Sequence, residues 1–210
     1  MAQRYDVSLK SLFQHDGDGI IRRLLDFARQ SPPERAQADL NALIAETARL
    51  VERSAQLHGT AITLELDPNL PAVWIDKNHI KQVLMNMLVN AQQATEAGGT
   101  IHVSTRRMPE PVASEQGGEP VEMVEIAIKD TGCGISEQDL HRIFDPFFTS
   151  KEVGKGTGLG LSVSHGIVKA HGGAIQVRSE VGRGTVFCIH LPLSDSAAAE
   201  AQPTQEVTHG

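Results

Sequence analysis

The 210-residue sequence has no uncharged apolar run approaching the roughly 20 residues that a membrane-spanning helix requires. Nor does Met1 to Lys10 hold the hydrophobic region of an export signal. Both absences lead to the expectation of a cytoplasmic protein with no membrane segment. Cysteine is almost absent. Cys133 and Cys188 are the only two and lack metal-ligand spacing, which excludes a disulfide framework and a zinc site and predicts two free thiols. Positive charge is in deficit, with 19 Lys and Arg against 26 Asp and Glu and a net charge of -7, so no overall field grips nucleic acid or anionic lipid. There is no internal repeat, no G-x-x-x-x-G-K-[ST] loop and no G-x-G-x-x-G fingerprint.

What is present suits one sizeable soluble domain with short appendages: 40% hydrophobic and 21% charged residues. From Gly17 to Gln30, the residues Ile20, Ile21, Leu24, Leu25, Phe27 and Ala28 share one wide helical face, which Ser31-Pro32-Pro33 stops. A second helix follows on Leu40, Leu43, Ile44, Thr47, Leu50 and Val51, capped by Asp39 and ending near His58-Gly59. Strands are predicted at Thr60 to Leu66 and Ala72 to Ile75, separated by the turn Asp67-Pro68-Asn69. Asp76 then caps a helix with core positions Ile80, Val83, Leu84, Met87, Leu88, Ala91 and Ala94, which Gly98-Gly99 terminates. Further strands are predicted at Thr100 to Arg106, Val121 to Lys129, Ala174 to Ser179 and Thr185 to Leu191, with a surface loop at Pro109 to Pro120 and a helix through Val163, Ile167 and Val168 to His171. Ser194 to Gly210 is small and polar, a tail without a fold. This order predicts an α+β domain in two layers, helices covering one face of a mixed sheet.

Four constellations carry the chemistry. Asn86, Asn90 and Gln93 cluster on the helix side opposite Leu84, Leu88 and Ala91. They are either a solvated amide face or a site where the Asn90 amide oxygen completes a magnesium octahedron of phosphate oxygens and water. Asp130-Thr131-Gly132-Cys133-Gly134-Ile135 follows a Val- and Ile-rich strand; it is either an Asx turn or a loop in which Asp130 accepts from an adenine amino group. Phe144-Asp145-Pro146-Phe147-Phe148-Thr149 is local core or the root of a lid. Gly154-Lys155-Gly156-Thr157-Gly158-Leu159-Gly160-Leu161 runs into a helix, as a flexible loop or as a cradle of amides and helix dipole for phosphate.

In this order the set resembles the N, G1, F and G2 boxes of the GHKL (Bergerat) ATP-binding superfamily. The closing Gly182-Arg183-Gly184-Thr185-Val186-Phe187, with Leu191-Pro192, resembles the end of a sensor-histidine-kinase catalytic domain, and Phe144 to His165 is similar to the nitrogen-regulation subgroup. The resemblance spans Ala38 to Pro192. It implies a Bergerat two-layer α/β sandwich over residues 34–193, preceded at 1–33 by a dimerisation-helix remnant and linker and followed at 194–210 by a disordered tail. It implies ATP and Mg2+ as cofactors, with Asn90 on the metal. Nucleotide contacts are implied for Asn86, Asp130, Gly132, Gly134, Lys151, Gly156, Thr157, Gly158, Leu159, Gly160 and Thr185, with Lys151 to Gly160 as a lid and Thr185 supporting the base through water.

Rapid hydrolases of the superfamily carry a glutamate four residues before the magnesium asparagine. Asn86 stands there, and an amide cannot take a proton from water at neutral pH, so the resemblance implies a phosphotransferase with an imidazole nucleophile. The implied partners are a response-regulator receiver domain and a histidine-bearing dimerisation domain, in cis or in trans. The family's His-[Glu/Asp]-x-x-x-Pro acceptor motif is not found among the nine histidines; His15 precedes Asp16, but Gly17 and Gly19 disfavour a helix there. The reading is a kinase domain that phosphorylates a histidine on another chain, with a nucleotide-dependent binding module or a weak ATPase as alternatives.

Overall fold

The computed structural model describes residues 33–109, 121–151 and 156–194. The helix read at Gly17 to Gln30, His15, most of the Pro109 to Pro120 loop, part of the lid and nearly all of the tail lie outside the described residues. Within them run β1 (Ala36–Ala38), α1 (Leu40–Leu57), β2 (Ala61–Glu65), β3 (Val73–Ile75), α2 (Lys77–Ala94), β4 (Thr100–Arg107), β5 (Met123–Asp130), α3 (Glu137–Leu140), α4 (Gly160–Ala170), β6 (Ala174–Glu180) and β7 (Gly184–Pro192).

Five strands form one sheet in the order β2-β4-β5-β7-β6, with β2 and β4 parallel and the other pairs antiparallel. Register places Ile62, Ile101, Val103, Ile126, Ile128, Phe187, Ile189, Leu191, Ile175 and Val177 on one face. Against this face pack α1, α2 and α4, so the core is a single layer between sheet and helices. Burying those side chains supplies on the order of 2 kcal/mol each before chain entropy is charged against it. The opposite face carries His102, Ser104, Arg106, Glu125, Lys129, Cys188 and His190 in the alternate positions. A short β1–β3 ribbon stands apart from the sheet.

Both expected helix caps are formed. The Asp39 carboxylate accepts the Ala42 N–H at 2.9 Å, and Asp76 accepts those of Asn78 and His79 at 2.9 and 3.2 Å. Leu50, placed in the apolar stripe of α1 by sequence, is 58% exposed. It lies about 100° from the centre of the buried arc, at the margin where packing ends. Gly98-Gly99 does not end α2 directly. The helix stops at Ala94, where Thr95 takes an extended conformation and its hydroxyl donates to the Ala91 carbonyl at 2.7 Å, and Gly98 makes the left-handed turn that follows. The three-residue β1 and the four-residue α3 carry no period long enough to read from sequence.

Helices α2 and α4 pack antiparallel, pinned at both ends. At one end Asn86 Nδ2 donates to Gly160 O and Ser164 Oγ; at the other Asp76 N–H donates to His171 Nε2 at 3.1 Å. His171 is buried, and its Nδ1 lies 2.8 Å from Ile167 O, an acceptor only, so Nδ1 carries the hydrogen and the ring is neutral. Burial lowers its pKa, outweighing the opposing pull of the Ile167 carbonyl. The native state therefore binds fewer protons than the unfolded chain just below the ordinary histidine pKa, and stability should fall as pH drops below about 6.5. Urea unfolding at pH 7.5, 6.5 and 5.5 checks this; His171→Gln should start less stable and show a shallower decline.

Candidate functional site

Asp130 closes β5 and is 3% exposed. Its Oδ1 accepts the N–H of Gly132 at 2.9 Å and of Thr185 at 3.1 Å, and among the described residues no donor is placed on Oδ2. The first of these bonds is an Asx turn, so that reading of the motif holds. The second does not belong to a local turn: it reaches 55 residues along the chain and leaves a buried carboxylate with one oxygen spare. Burial raises the Asp130 pKa, and the two amides oppose the shift.

The loop that follows is clamped between the end of α2 and the β6–β7 hairpin. Cys133 N–H donates to Ala94 O, Gly182 N–H to Cys133 O and Ile135 N–H to Ser179 Oγ, at 3.0, 2.8 and 2.8 Å. A Cβ on Gly132 would lie 2.4 Å from Ala94 O; one on Gly134, at φ +73°, would lie 2.2 Å from Glu180 O. Neither position takes a side chain without moving the backbone. Ser179 Oγ donates to Gly184 O at 3.0 Å, so the 2.9 Å contact between Ser179 and Thr185 has the threonine hydroxyl as donor. Thr185 Oγ1 keeps its lone pairs free, able to accept from a water.

The α2 amide face is less exposed than its polarity suggests. Asn86 is half-buried, and both Nδ2 hydrogens are used on α4, at 3.1 and 3.2 Å. Asn90 is half-buried as well, and Gln93 is exposed. Lys151 Nζ lies 3.2 Å from Asn90 Oδ1 and also donates to Gln93 Oε1. Lys151 is exposed, but partial desolvation of its ammonium beside the helix lowers its pKa, and negative charge on Cys133 would act the other way. Among the described residues no group of three His, Cys, Asp or Glu side chains could hold a metal. A lone neutral amide oxygen fits a divalent cation that arrives with oxygens of its own, as magnesium on a polyphosphate does.

At the head of α4 no side chain caps the first amides. Gly158, at φ +65°, presses against Phe147, where a Cβ would lie 2.4 Å from the carbonyl carbon. Phe147 N–H donates to Gly158 O at 3.0 Å, and Phe147 itself sits at φ +68° and is 63% exposed. Strain of this kind persists only where surrounding contacts hold it. Phe144 and Phe148 join the margin of the core, Phe144 stacking on His165 and Phe148 lying under Arg142. Gly156 sits over Thr149 and Lys151, Leu159 is buried, and Gly160 faces Asn86. Thr157 is half-buried and makes no side-chain hydrogen bond among the described residues. Asp130, Gly132, Gly134 and Thr185 thus form one cluster, and Asn86, Asn90, Lys151 and Gly156 to Gly160 another. Ala94 O links them through the end of α2. Sequence reasoning missed Ser164 and Ser179; Ser179 is found only once the hairpin register sets it opposite Thr185.

Residues 75–195, more than half of the chain, match the family of histidine kinase-, DNA gyrase B- and HSP90-like ATPases, and the chain belongs to it. Its domain is an ATP-binding one. The catalytic domain of histidine kinase ThkA is 32% identical, with a TM-score of 0.64 covering 76% of this chain and 96% of that one. Within the family, then, this is a catalytic domain of the sensor-histidine-kinase type. ThkA in complex with the response regulator protein TrrA aligns at 25% identity and TM-score 0.69, covering 96% of this chain and 55% of that one. Sensor kinase CckA of Brucella abortus is 41% identical over 190 residues, 88% of this chain and 20% of CckA. The chain spans from a fifth to about a third of the length of curated relatives it matches.

Proposed function

We propose that this domain binds magnesium-ATP and transfers its γ-phosphate to a histidine on a dimerisation domain, in cis or in trans, for relay to a receiver domain of a response regulator. The observation that carries this reading is Asp130, a buried carboxylate with one oxygen pinned by two main-chain amides and the other spare. The exocyclic amino group of adenine is the matching donor. Gly132 and Gly134 keep the backbone beside it bare, and Thr185 accepts from a water at the ring edge. The triphosphate runs from there towards Lys151 and the amides of Gly156, Thr157, Gly158, Leu159 and Gly160, where the α4 dipole favours negative charge.

Asn90 supplies the amide oxygen for magnesium, which when bound neutralises charge on the phosphate oxygens. Asn86 holds the first turn of α4 and offers no base, so water is a poor nucleophile. An incoming imidazole brings its own lone pair: its nitrogen bonds to the γ-phosphorus as the bond to the bridging oxygen breaks and ADP leaves. Positioning by these residues does most of the catalysis. The complex of ThkA with TrrA supports the relay step. The same reading takes residues 34–193 as the catalytic domain and the cytoplasm as the place of reaction.

Thermal unfolding with magnesium-nucleotide tests the site. ATP near a hundred times its Kd should raise the melting temperature on the order of 5–10 °C. GTP presents a carbonyl oxygen to Asp130, acceptor facing acceptor, at a cost of about 1–3 kcal/mol. Equal shifts for the two nucleotides would remove Asp130 from base recognition.

A further inference from the structure

We infer that the Lys151 ammonium is a built-in occupant of the cation seat on α2, that metal-bound nucleotide must displace it, and that Gln93 sets how firmly the seat is held. The inference rests on the reading of Asn90 given above. Lys151 Nζ lies 3.2 Å from Asn90 Oδ1 and donates at the same time to Gln93 Oε1. Asn90 and Gln93 stand three residues apart on one helix face, close enough for a single ammonium to bridge their two oxygens. A magnesium ion on Asn90 Oδ1 and an ammonium on the same oxygen exclude one another by charge and by volume.

The loop is shaped for this posture. Lys151 N–H donates to Thr149 Oγ1 at 3.2 Å, which draws in the residue's backbone. Gly156 covers the lysine stem, and a Cβ there would lie 2.6 Å from Thr149 Oγ1 and 3.3 Å from Lys151 Cδ. Gln93 has no other hydrogen-bond partner among the described residues, so its amide oxygen serves here only as the second support of the ammonium.

The consequence is selectivity for metal and nucleotide together. A free divalent cation would have to evict the ammonium in exchange for one neutral amide oxygen. A cation on a triphosphate brings phosphate oxygens to which Lys151 can move as the metal takes Asn90. Apparent affinity for the metal–nucleotide is then the intrinsic affinity multiplied by the fraction of molecules in which the seat is already vacated.

Gln93→Met removes one support while keeping helix propensity and side-chain length. The test is calorimetric titration of magnesium-AMPPNP into wild type, Gln93→Met, Lys151→Met and the double variant, with melting temperature as the check on folding and Gln93→Ala as a second probe. Gln93→Met should bind about 3- to 10-fold more tightly than wild type, because the seat opens more readily. In the Lys151→Met background the same change should have no effect. Unchanged or weaker binding by both Gln93 variants, or an equal gain with and without Lys151, would overturn the displacement. Absence of magnesium-AMPPNP binding by wild type would overturn the reading of the nucleotide site itself, and this inference with it.

Discussion

Replacing Asp130 by asparagine is expected to invert the base preference of the domain while leaving it folded. The substitution keeps an oxygen where the Gly132 and Thr185 amides already donate, at 2.9 and 3.1 Å, so the loop after β5 retains both anchors. It puts an amino group where the spare carboxylate oxygen stood. Adenine then meets donor with donor, and ATP binding should weaken by about 1–3 kcal/mol, roughly 5- to 150-fold. Guanine, with a carbonyl oxygen at that position, gains the partner it lacked in wild type. Removing a buried charge that burial already disfavours should leave the melting temperature unchanged or higher. Calorimetry with ATP and GTP on both proteins decides it, and an unchanged ratio of the two affinities would contradict the assignment.

Asn90→Ala should have the second large effect, on turnover rather than on base choice. Asn90 stands half-buried on the side of α2 away from the buried Leu84, Leu88 and Ala91, and alanine is the best helix former, so the fold should be kept. What is lost is the one protein oxygen offered to magnesium. Without it the metal–phosphate unit is no longer fixed in line with an incoming nucleophile, and phosphotransfer should fall by at least about 100-fold. Near-wild-type transfer by the folded variant would show that the metal is held elsewhere.

The residues legible in the sequence were those whose chemistry is local. Asp39 and Asp76 announce helix starts because a cap bonds within three residues, and Asp130 with Gly132 announces a turn for the same reason. Asn90 and Asn86 could be placed on one helix from spacing alone. Their partners could not. Asn86 reaches Ser164, 78 residues on, and Lys151 reaches back 61 residues to Asn90, and no periodicity encodes either contact. Leu50 was misplaced for a related reason: hydrophobic spacing marks an apolar arc but not where the neighbouring layer stops covering it. The short α3 rests on a Ser136 cap and four residues, too little for a pattern. Phe147 shows the same limit in the backbone. Its left-handed conformation follows from the Gly158 main chain that packs against it, and nothing in its own identity predicts that.

Phosphotransfer to an added acceptor tests the account most directly. The chain is incubated with γ-labelled ATP and magnesium, with and without a dimerisation domain bearing a His-[Glu/Asp] motif, supplied separately or fused ahead of Gly17. The product is then treated with acid and with base. The account predicts acid-labile, base-stable phosphate on the added domain's histidine, abolished by Asn90→Ala, and little label or free phosphate from the chain alone. Stoichiometric acid-labile phosphate on the chain by itself, or rapid release of inorganic phosphate with no labelled histidine, would contradict it.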